Sequence, residues 1–279
     1  MQKAVRWDNL LLTILSVKKG QSIVYENLDL PTSSNKLVLR LLLFLEKCAL
    51  RRVDLMIVAS RFFADLYDSK KNQIIVIENK MPNDVEENIN YNLLTNKGEP
   101  INIVFLGTIR YREILQKAVK VISCNNRFNL HIYGDGPDFE FISKLSEGRD
   151  NVFVYGRYDY GEIANIYKKT DLIWAVYPSD DFNVKYAISN KFHESLQYAV
   201  PGIFAANTKL GEFVGNNKIG FQVDCLSEES LRDFLNTIDK ESILNIHREL
   251  QKWQPKEKRW NEEIQPFVDY LRNIDASNV

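Results

Sequence analysis

From residue 101 onward, short apolar runs alternate with polar or glycine-containing breaks and with stretches of helical periodicity. After the first run, Ile114, Ala118 and Val121 have the spacing of one helix face. The runs do not alternate apolar with polar positions, which is typical of strands buried on both faces of a parallel sheet, and helices between such strands form right-handed crossovers. The pattern therefore predicts a doubly wound α/β domain. Its strands are expected at residues 101–106, 130–133, 152–155, 172–177, 202–206 and 221–223.

The first hundred residues have a similar pattern with fewer strands. Three predicted strands are few for an independent sheet, and the polar residues 79–100 are typical of a linker. We therefore expect an incomplete N-terminal α/β domain with its linker at residues 1–98, and a second α/β domain at 99–279. The elements expected in the first domain are a helix carrying Val5, Trp7, Leu11, Ile14 and Leu15, strands at 22–25, 54–59 and 74–77, a helix at 36–52, and a short helix capped by Ser60.

A final helix is expected after Pro255, at about residues 258–272. Its apolar stripe consists of Trp260, Ile264, Phe267 and Leu271. Such a stripe needs a surface to cover it, and we expect this helix to pack back towards the N-terminal domain.

Composition narrows the class of protein. The chain has 279 residues, 45% of them apolar and 26% charged, which is globular composition, and its net charge of −1 provides no field to attract nucleic acid. Cys48, Cys124 and Cys225 are odd in number and far apart, which indicates a reducing compartment, and no histidine lies near a cysteine to form a metal cage. No uncharged apolar run is long enough to span a bilayer. We therefore expect a cytoplasmic protein.

Candidate ligand-binding residues follow the predicted strands, because ligands of open parallel sheets bind beyond the carboxyl ends of the strands. Gly107, Gly134 and Gly156 all occupy such positions. They allow a ligand to approach the backbone, or they are ordinary turn residues. Gly134 and Gly136 alone are a weak dinucleotide signal, because the third glycine of that fingerprint is replaced by Phe139.

The helix expected to begin near Ser189 is the most informative segment. With Ser189 as the N-cap, Lys191 lies in the first turn, where the helix dipole disfavours a cation. Two anions could offset it. One is Glu194, three residues on, in a side-chain pair. The other is a phosphate held by the backbone N–H groups and Lys191, which leaves Glu194 to accept hydrogen bonds from a ribose diol.

Residues 189–196 (SNKFHESL), followed by 199–202 (AVPG), resemble the P-N-K-x-x-E-x-L-x-x-G-x-P stretch of GT-B fold glycosyltransferases, especially those that build bacterial surface and capsular polysaccharides. The resemblance implies a GT-B-like α/β fold with two doubly wound parallel-sheet domains. Other segments occur in the family's order, namely 54–60 (DLMIVAS), 75–79 (IVIEN), 105–110 (FLGTIR), 132–136 (IYGDG) and 152–156 (VFVYG).

The resemblance also implies a donor site for a nucleotide sugar. Glu194 would accept the ribose hydroxyls, the loop containing Tyr155 and Arg157 would meet the base through its backbone, and Arg110 and Lys191 would hold the diphosphate. It adds Gly107, Thr108, Gly134, Ser189 and Asn190 to the same site. The chain contains no Asp-x-Asp pair, so we expect no metal and no other cofactor.

Two features depart from the family pattern. Retaining members have a glutamate eight positions before Glu194, and here that position is Tyr186, which leaves the stereochemistry open. Asp180 and Asp181 lie nearby as substitutes or as an ordinary acidic loop. The strands that open the family's first domain are also missing, so we expect a homodimer or a partner chain. The catalytic base is unidentified. Glu26 and Asp29 follow a predicted strand and are either candidates for it or ordinary loop carboxylates. His131 is expected in the core.

The predicted helix at 36–52 is basic and apolar. It either contacts an anionic membrane, in keeping with a lipid-linked acceptor at the inner face, or is a core helix with a charged rim.

We therefore expect a glycosyltransferase that moves a sugar from a UDP- or GDP-type donor to a surface-polysaccharide or lipid-linked acceptor. The alternative is a non-catalytic nucleotide-binding subunit or fragment that needs a partner chain for its acceptor domain. A third function, that of a sugar-nucleotide epimerase, would need acid and base groups in a complete cleft, and the incomplete first domain makes it the least expected of the three.

Overall fold

The structure is a computed structural model that describes residues 3–5, 21–33, 35–67, 73–81, 99–254, 257 and 259–277. The strands are β1 (Lys3–Val5), β2 (Ile23–Asn27), β3 (Leu55–Val58), β4 (Gln73–Val76), β5 (Ile101–Leu106), β6 (Phe128–Tyr133), β7 (Val152–Gly156), β8 (Leu172–Ala175), β9 (Gly202–Ala205) and β10 (Phe221–Val223). The helices are α1 (Lys36–Ala49), α2 (Arg61–Ala64), α3 (Arg112–Ile122), α4 (Phe139–Ser146), α5 (Ile163–Tyr167), α6 (Phe182–Tyr186), α7 (Asn190–Tyr198), α8 (Lys209–Asn217), α9 (Glu228–Thr237), α10 (Lys240–Trp253) and α11 (Trp260–Ser277).

The chain forms two compact units. The first comprises Met1–Asn83, Asp181–Ile188 and Lys258–Val279, and the second comprises Asp84–Asp180 and Ser189–Glu257. Residues 181–188, which the sequence analysis assigned to the second domain, thus belong to the first unit. The reason is local packing, because Phe182 and Tyr186 pack against the first unit's core and the Asn183 side chain accepts a hydrogen bond from Leu30 N at 2.9 Å.

The first unit contains a four-stranded parallel sheet in the order β1-β2-β3-β4. The prediction of three strands and of a helix beginning at Val5 is wrong, since Val5 lies in β1 opposite Tyr25. A three-residue strand is too short to give a period, so the sequence could not reveal it. The rest of that predicted helix, including Trp7 to Leu15, lies outside the described residues.

The two faces of this sheet are covered by different helices. On one face, Tyr25, Met56 and Val58 pack with Phe63 of α2. On the other, a buried cluster that includes Leu55 packs against the final helix through Phe267 and Tyr270. That helix extends to Ser277, beyond the predicted residue 272.

An ionic network joins α2, the end of β4 and α11 within the first unit. Arg61 Nε and Nη2 donate to the two oxygens of buried Glu78 at 2.7 and 2.6 Å. Glu78 N donates to Glu263 Oε2 at 3.0 Å, and Lys80 Nζ lies 2.7 Å from Glu263 Oε1. Each carboxylate therefore has its own cation, which offsets the cost of removing both from water.

The second unit contains a six-stranded parallel sheet in the order β10-β9-β8-β5-β6-β7. The predicted doubly wound α/β class is confirmed, and all six predicted strands are present with ends shifted by a few residues at most. The chain returns to the middle of the sheet after β7, so the strand order reverses between β5 and β8. This reversal is where an open parallel sheet leaves a crevice for ligands.

The expectation that all these strands are buried on both faces is wrong for β6, β7 and β10, in the last of which Gln222 is exposed. Buried and partly exposed positions alternate along β6, and Phe153 and Tyr155 of β7 are exposed. His131, expected in the core, lies half-buried on this open face and stacks on Phe153 with ring centroids 5.0 Å apart. Burial lowers the pKa of His131, which favours its neutral form.

Glu46 of α1 is buried and receives hydrogen bonds from two tyrosines. Tyr25 and Tyr67 donate to its Oε1 at 2.8 and 3.2 Å. Burial raises the pKa of Glu46, and these two hydrogen bonds oppose the rise. Because folding raises this pKa, protonated Glu46 stabilises the folded protein. This stabilisation is complete at a pH below the unfolded-state pKa and is lost as the pH rises through the folded-state pKa.

We expect Glu46→Gln to remove this dependence. Relative to the variant, the wild-type free energy of unfolding should fall as the pH rises from 4.5, the ordinary pKa of this carboxyl. Urea unfolding followed by circular dichroism at several pH values measures both curves. A difference between the two proteins that stays constant across pH would contradict the assignment.

Candidate functional site

Three glycines at the carboxyl ends of β5, β6 and β7 are joined through the backbone. Gly107 N donates to Tyr133 O at 3.0 Å, and Gly134 N donates to Gly156 O at 2.6 Å. The ends of the three strands therefore form one continuous layer of backbone.

Glycine is required where two of these turns meet. Gly134 has φ +136°, and a Cβ there would lie 1.8 Å from Gly107 O. Gly136 has φ +157°, and a Cβ there would lie 2.5 Å from Ile109 O. A side chain at either position would push the turns apart. We call Gly107, Gly134 and Gly136 the glycine shelf.

A cavity of about 480 Å³ lies against the glycine shelf. Thr108, Asp135, Arg157 and Tyr158 complete its lining. Four residues that the resemblance assigned to the donor site are thus brought together here, namely Gly107, Thr108, Gly134 and Arg157.

Arg157 provides the cavity with a cation at its surface. Its Nε donates to Asp135 Oδ2 at 2.8 Å, and the Arg157 side chain is 86% exposed. The hydrogen bond from Arg157, with a second from Gly136 N, holds the pKa of Asp135 below its ordinary value. Exposed ion pairs of this kind are weak, so an anionic ligand could replace Asp135 as the partner of Arg157.

Helix α7 begins where the sequence predicted. Ser189 is its N-cap, and Ser189 Oγ accepts a hydrogen bond from Lys191 N at 3.2 Å. Asn190 is exposed in the first turn. Phe192 N also donates to Ser189, to its carbonyl at 2.9 Å. What the first turn offers an anion is therefore the positive end of the helix dipole.

Of the two partners considered for Lys191, the structure has Glu194. Lys191 Nζ lies 2.6 and 2.7 Å from the two carboxylate oxygens of Glu194, and both side chains are more than nine-tenths buried. Tyr167 donates to Glu194 Oε2 at 2.7 Å. A carboxylate oxygen has more than one acceptor site, so these contacts leave Glu194 capacity for a further hydrogen bond.

Tyrosines surround this buried pair. Burial, and then the negative charge of Glu194, raise the pKa values of Tyr158 and Tyr198 to about 12. The same two causes act on Tyr160, whose pKa is also raised. These phenols are therefore neutral hydrogen-bond donors at any physiological pH.

Two further tyrosines, Tyr111 and Tyr177, lie between Arg110 and the start of α7. Ser189 Oγ donates to Tyr177 OH at 3.5 Å, and the Tyr177 ring packs edge to face on Tyr111 at 6.1 Å. The Arg110 guanidinium lies over the other tyrosine of the pair, 5.0 Å from the Tyr111 ring centroid. Tyr111 has φ +62°, a left-handed conformation that costs a residue with a side chain free energy. Sequence reasoning missed both tyrosines, whose only signal was their place at or shortly after the end of a predicted strand.

The Tyr155 side chain lies away from the glycine shelf, on the open face of β6 and β7. Its ring stacks on Tyr133 at 4.3 Å, and its OH lies 3.0 Å from His131 Nδ1. His131 Nε2 lies 3.1 Å from Asn102 Oδ1, which makes Nδ1 the acceptor for the tyrosine. A second cavity of about 550 Å³ lies along this face and reaches Thr170 at the start of β8.

Two of the four other candidate carboxylates, Asp29 and Asp181, have structural contacts. Asp181 Oδ1 accepts from Val184 N at 3.0 Å and caps α6. Asp29 accepts from Asn183 Nδ2 at 2.9 Å, and Tyr186 packs into the first unit's core. Over the described ranges, no cluster of three or more His, Cys, Asp or Glu side chains could hold a metal ion. In that same part of the chain, no helix has the length and apolarity to cross a bilayer.

One comparison with known proteins identifies a family. The family model described as "Glycosyl transferases group 1" matches residues 69–259. The search of curated proteins gives no match.

Solved structures with this fold are sequence-distant. Sucrose-phosphate synthase from Thermosynechococcus elongatus is 14% identical with a TM-score of 0.73, over 99% of this chain and 74% of that one. Anabaena Alr3699/HepE in complex with UDP and glucose is 13% identical with a TM-score of 0.71, over 97% and 78%. WaaG, a glycosyltransferase involved in lipopolysaccharide biosynthesis, is 12% identical with a TM-score of 0.60, over 92% and 79%.

The buried pair makes a stability prediction. Lys191→Met leaves the Glu194 carboxylate buried without its cation, which should lower the free energy of unfolding by about 3–5 kcal/mol. The double variant Lys191→Met with Glu194→Leu should recover most of this loss, since neither charge then remains buried. Urea unfolding of wild type and the three variants forms a double-mutant cycle. Additive losses would mean that the two side chains are not coupled.

Proposed function

Because the chain belongs to the glycosyl transferases group 1 family, we propose that it transfers a sugar from a UDP- or GDP-linked donor to a surface-polysaccharide or lipid-linked acceptor. The observation that carries this proposal is the cavity on the glycine shelf, where exposed backbone and the Arg157 cation adjoin each other. The complex of HepE with UDP and glucose supports a uridine nucleotide. The role of WaaG in lipopolysaccharide biosynthesis supports a glycan acceptor at a membrane, which for this protein we propose is the inner face.

The donor binds with its diphosphate against the glycine shelf and the first turn of α7. When the bond between the anomeric carbon and the diphosphate breaks, negative charge grows on the departing nucleotide. Cations and N–H groups that are already in position stabilise that charge without reorganisation. Arg157 and Arg110 supply the cations, since Lys191 already neutralises Glu194.

Glu194 accepts the ribose hydroxyls. Tyr167 and Lys191 hold its carboxylate in a single orientation, so no side-chain freedom is lost when the ribose binds. The backbone of residues 155–157 meets the base. No step in this scheme needs a metal ion, and we propose that transfer proceeds in the presence of a chelator.

The second candidate is a nucleotide-binding subunit that gains its acceptor domain from another chain. Tyr186 favours it, because retaining members of the family have a glutamate at that position, and here the tyrosine packs into a core. A subunit of this kind would bind the nucleotide and leave the donor intact.

Nucleotide affinity tests the donor site. Arg157→Ala and Arg110→Ala should each weaken UDP binding by about 1.5–3 kcal/mol, the usual value of a hydrogen bond to a charged group, and leave uridine binding almost unchanged. Isothermal titration calorimetry measures both ligands, with GDP, TDP and ADP defining base preference. Arg232→Ala, at an exposed arginine of α9, is the matched control. Equal losses for UDP and uridine would exclude the phosphate assignment.

Donor turnover separates the two candidate functions. A transferase should release UDP slowly from UDP-glucose or from another donor that binds, because water can replace the acceptor, and excess EDTA should leave that rate unchanged. Chromatography of the products measures the release. Tight donor binding with no release, with or without acceptor glycans, would favour the nucleotide-binding subunit.

A further inference from the structure

Helix α1 exposes several large apolar side chains to solvent. Leu37, Leu41 and Phe44 are 73%, 57% and 61% exposed. In the whole helix, only Glu46 and Ala49 are buried. The alternative that α1 is a core helix is therefore wrong.

The exposed residues form one continuous stripe. Leu37, Leu41 and Phe44 have the spacing i, i+4, i+7, which brings them to one side of the helix, and exposed Val38 adjoins them. A stripe with this spacing normally faces a core. Large apolar patches that remain exposed on a folded protein mark surfaces for a partner or a membrane.

Cations lie alongside this stripe. Lys36, Arg40 and Lys47 are exposed on the helix, and Arg51 and Arg52 follow in the turn after it. The only acidic residue of α1 is Glu46, and Tyr25 and Tyr67 hold its carboxylate inside the protein. The solvent side of the helix is therefore positive along its whole length.

We propose that this helix face, consisting of Leu37, Val38, Leu41, Phe44 and the cations from Lys36 to Arg52, docks on the surface of an anionic lipid bilayer. The apolar stripe enters the boundary between headgroups and acyl chains, and the cations contact lipid phosphates. A second copy of this chain is a poor occupant, because it would bring two sets of like charges together. The inference rests on the proposed function only in that docking brings the enzyme to a lipid-linked acceptor.

The test is sedimentation of the whole chain with vesicles, in the absence of donor. Wild type should bind vesicles of phosphatidylcholine mixed with phosphatidylglycerol at least tenfold more tightly than vesicles of phosphatidylcholine alone. Added salt should weaken this binding, since the attraction to anionic lipid is screened. Each basic residue near such a surface strengthens binding about fivefold.

Two variants separate the contributions of charge and apolar area. Arg40→Glu with Lys47→Glu should weaken binding to the anionic vesicles by more than tenfold. Leu41→Gln with Phe44→Gln should weaken it by a similar factor, because exposed apolar residues no longer enter the bilayer. Lys168→Glu with Lys169→Glu, at two exposed lysines of the second unit, is the charge-matched control and should bind like wild type.

Other outcomes would overturn the inference. Equal binding of wild type to both kinds of vesicle would exclude specific docking of this face. So would a control variant, Lys168→Glu with Lys169→Glu, that loses as much vesicle affinity as Arg40→Glu with Lys47→Glu. A dimer in sedimentation equilibrium that Leu41→Gln with Phe44→Gln converts to monomer would assign the face to a second copy. UDP affinity, measured for each variant, reports folding of the second unit independently. If wild type bound neither UDP nor GDP and still bound vesicles, the proposed function would be rejected and the docking inference would stand.

Discussion

Only a hydrogen atom fits between the backbone of Gly134 and the carbonyl of Gly107. This one contact lets the ends of β5 and β6 close together, and the Gly134 N–H then reaches the carbonyl of Gly156 at the end of β7. The same closeness leaves bare backbone facing the adjoining cavity, where a larger residue would have filled the space. Packing inside the sheet and access for a ligand thus have the same cause.

The rest of the site contains two ion pairs, one exposed and one buried. At the surface, Arg157 and Asp135 form an exposed pair that competes with water and can be exchanged. Inside, Lys191 and Glu194 are removed from water together, and Tyr167 supplies an additional donor. A buried pair of this kind contributes orientation more than stability. Arg157 can therefore exchange its partner for a ligand, whereas Lys191 stays paired with Glu194.

The strands of the second unit could be predicted because each contains a short apolar run, and in β5, β8 and β9 nearly every position is buried. Ile101–Leu106 and Phe221–Val223 have the predicted ends, since an apolar run marks each strand and Gly107 or Asp224 follows it. The start of α7 could be predicted from Ser189, because capping is a local property of the backbone.

Other features depend on distant residues and could not be predicted. The spacing of residues 36–49 is the same whether α1 faces a core or solvent, so only the structure identifies the exposed side. Tyr111 and Tyr177 lie far apart in sequence and meet only in the fold. For Lys191 the sequence left two anions open, and the choice depended on whether the side chain turned towards Glu194 or away from it.

The first unit is assembled from three separated stretches of chain, the last of which contributes Phe267 and Tyr270 to its sheet. The second unit uses only residues that precede 258. During synthesis, the unit that emerges first from the ribosome therefore lacks one cover of its sheet until the unit after it has been made. Contacts between such distant residues form slowly. The first unit is therefore the first to be synthesised and the last to finish folding.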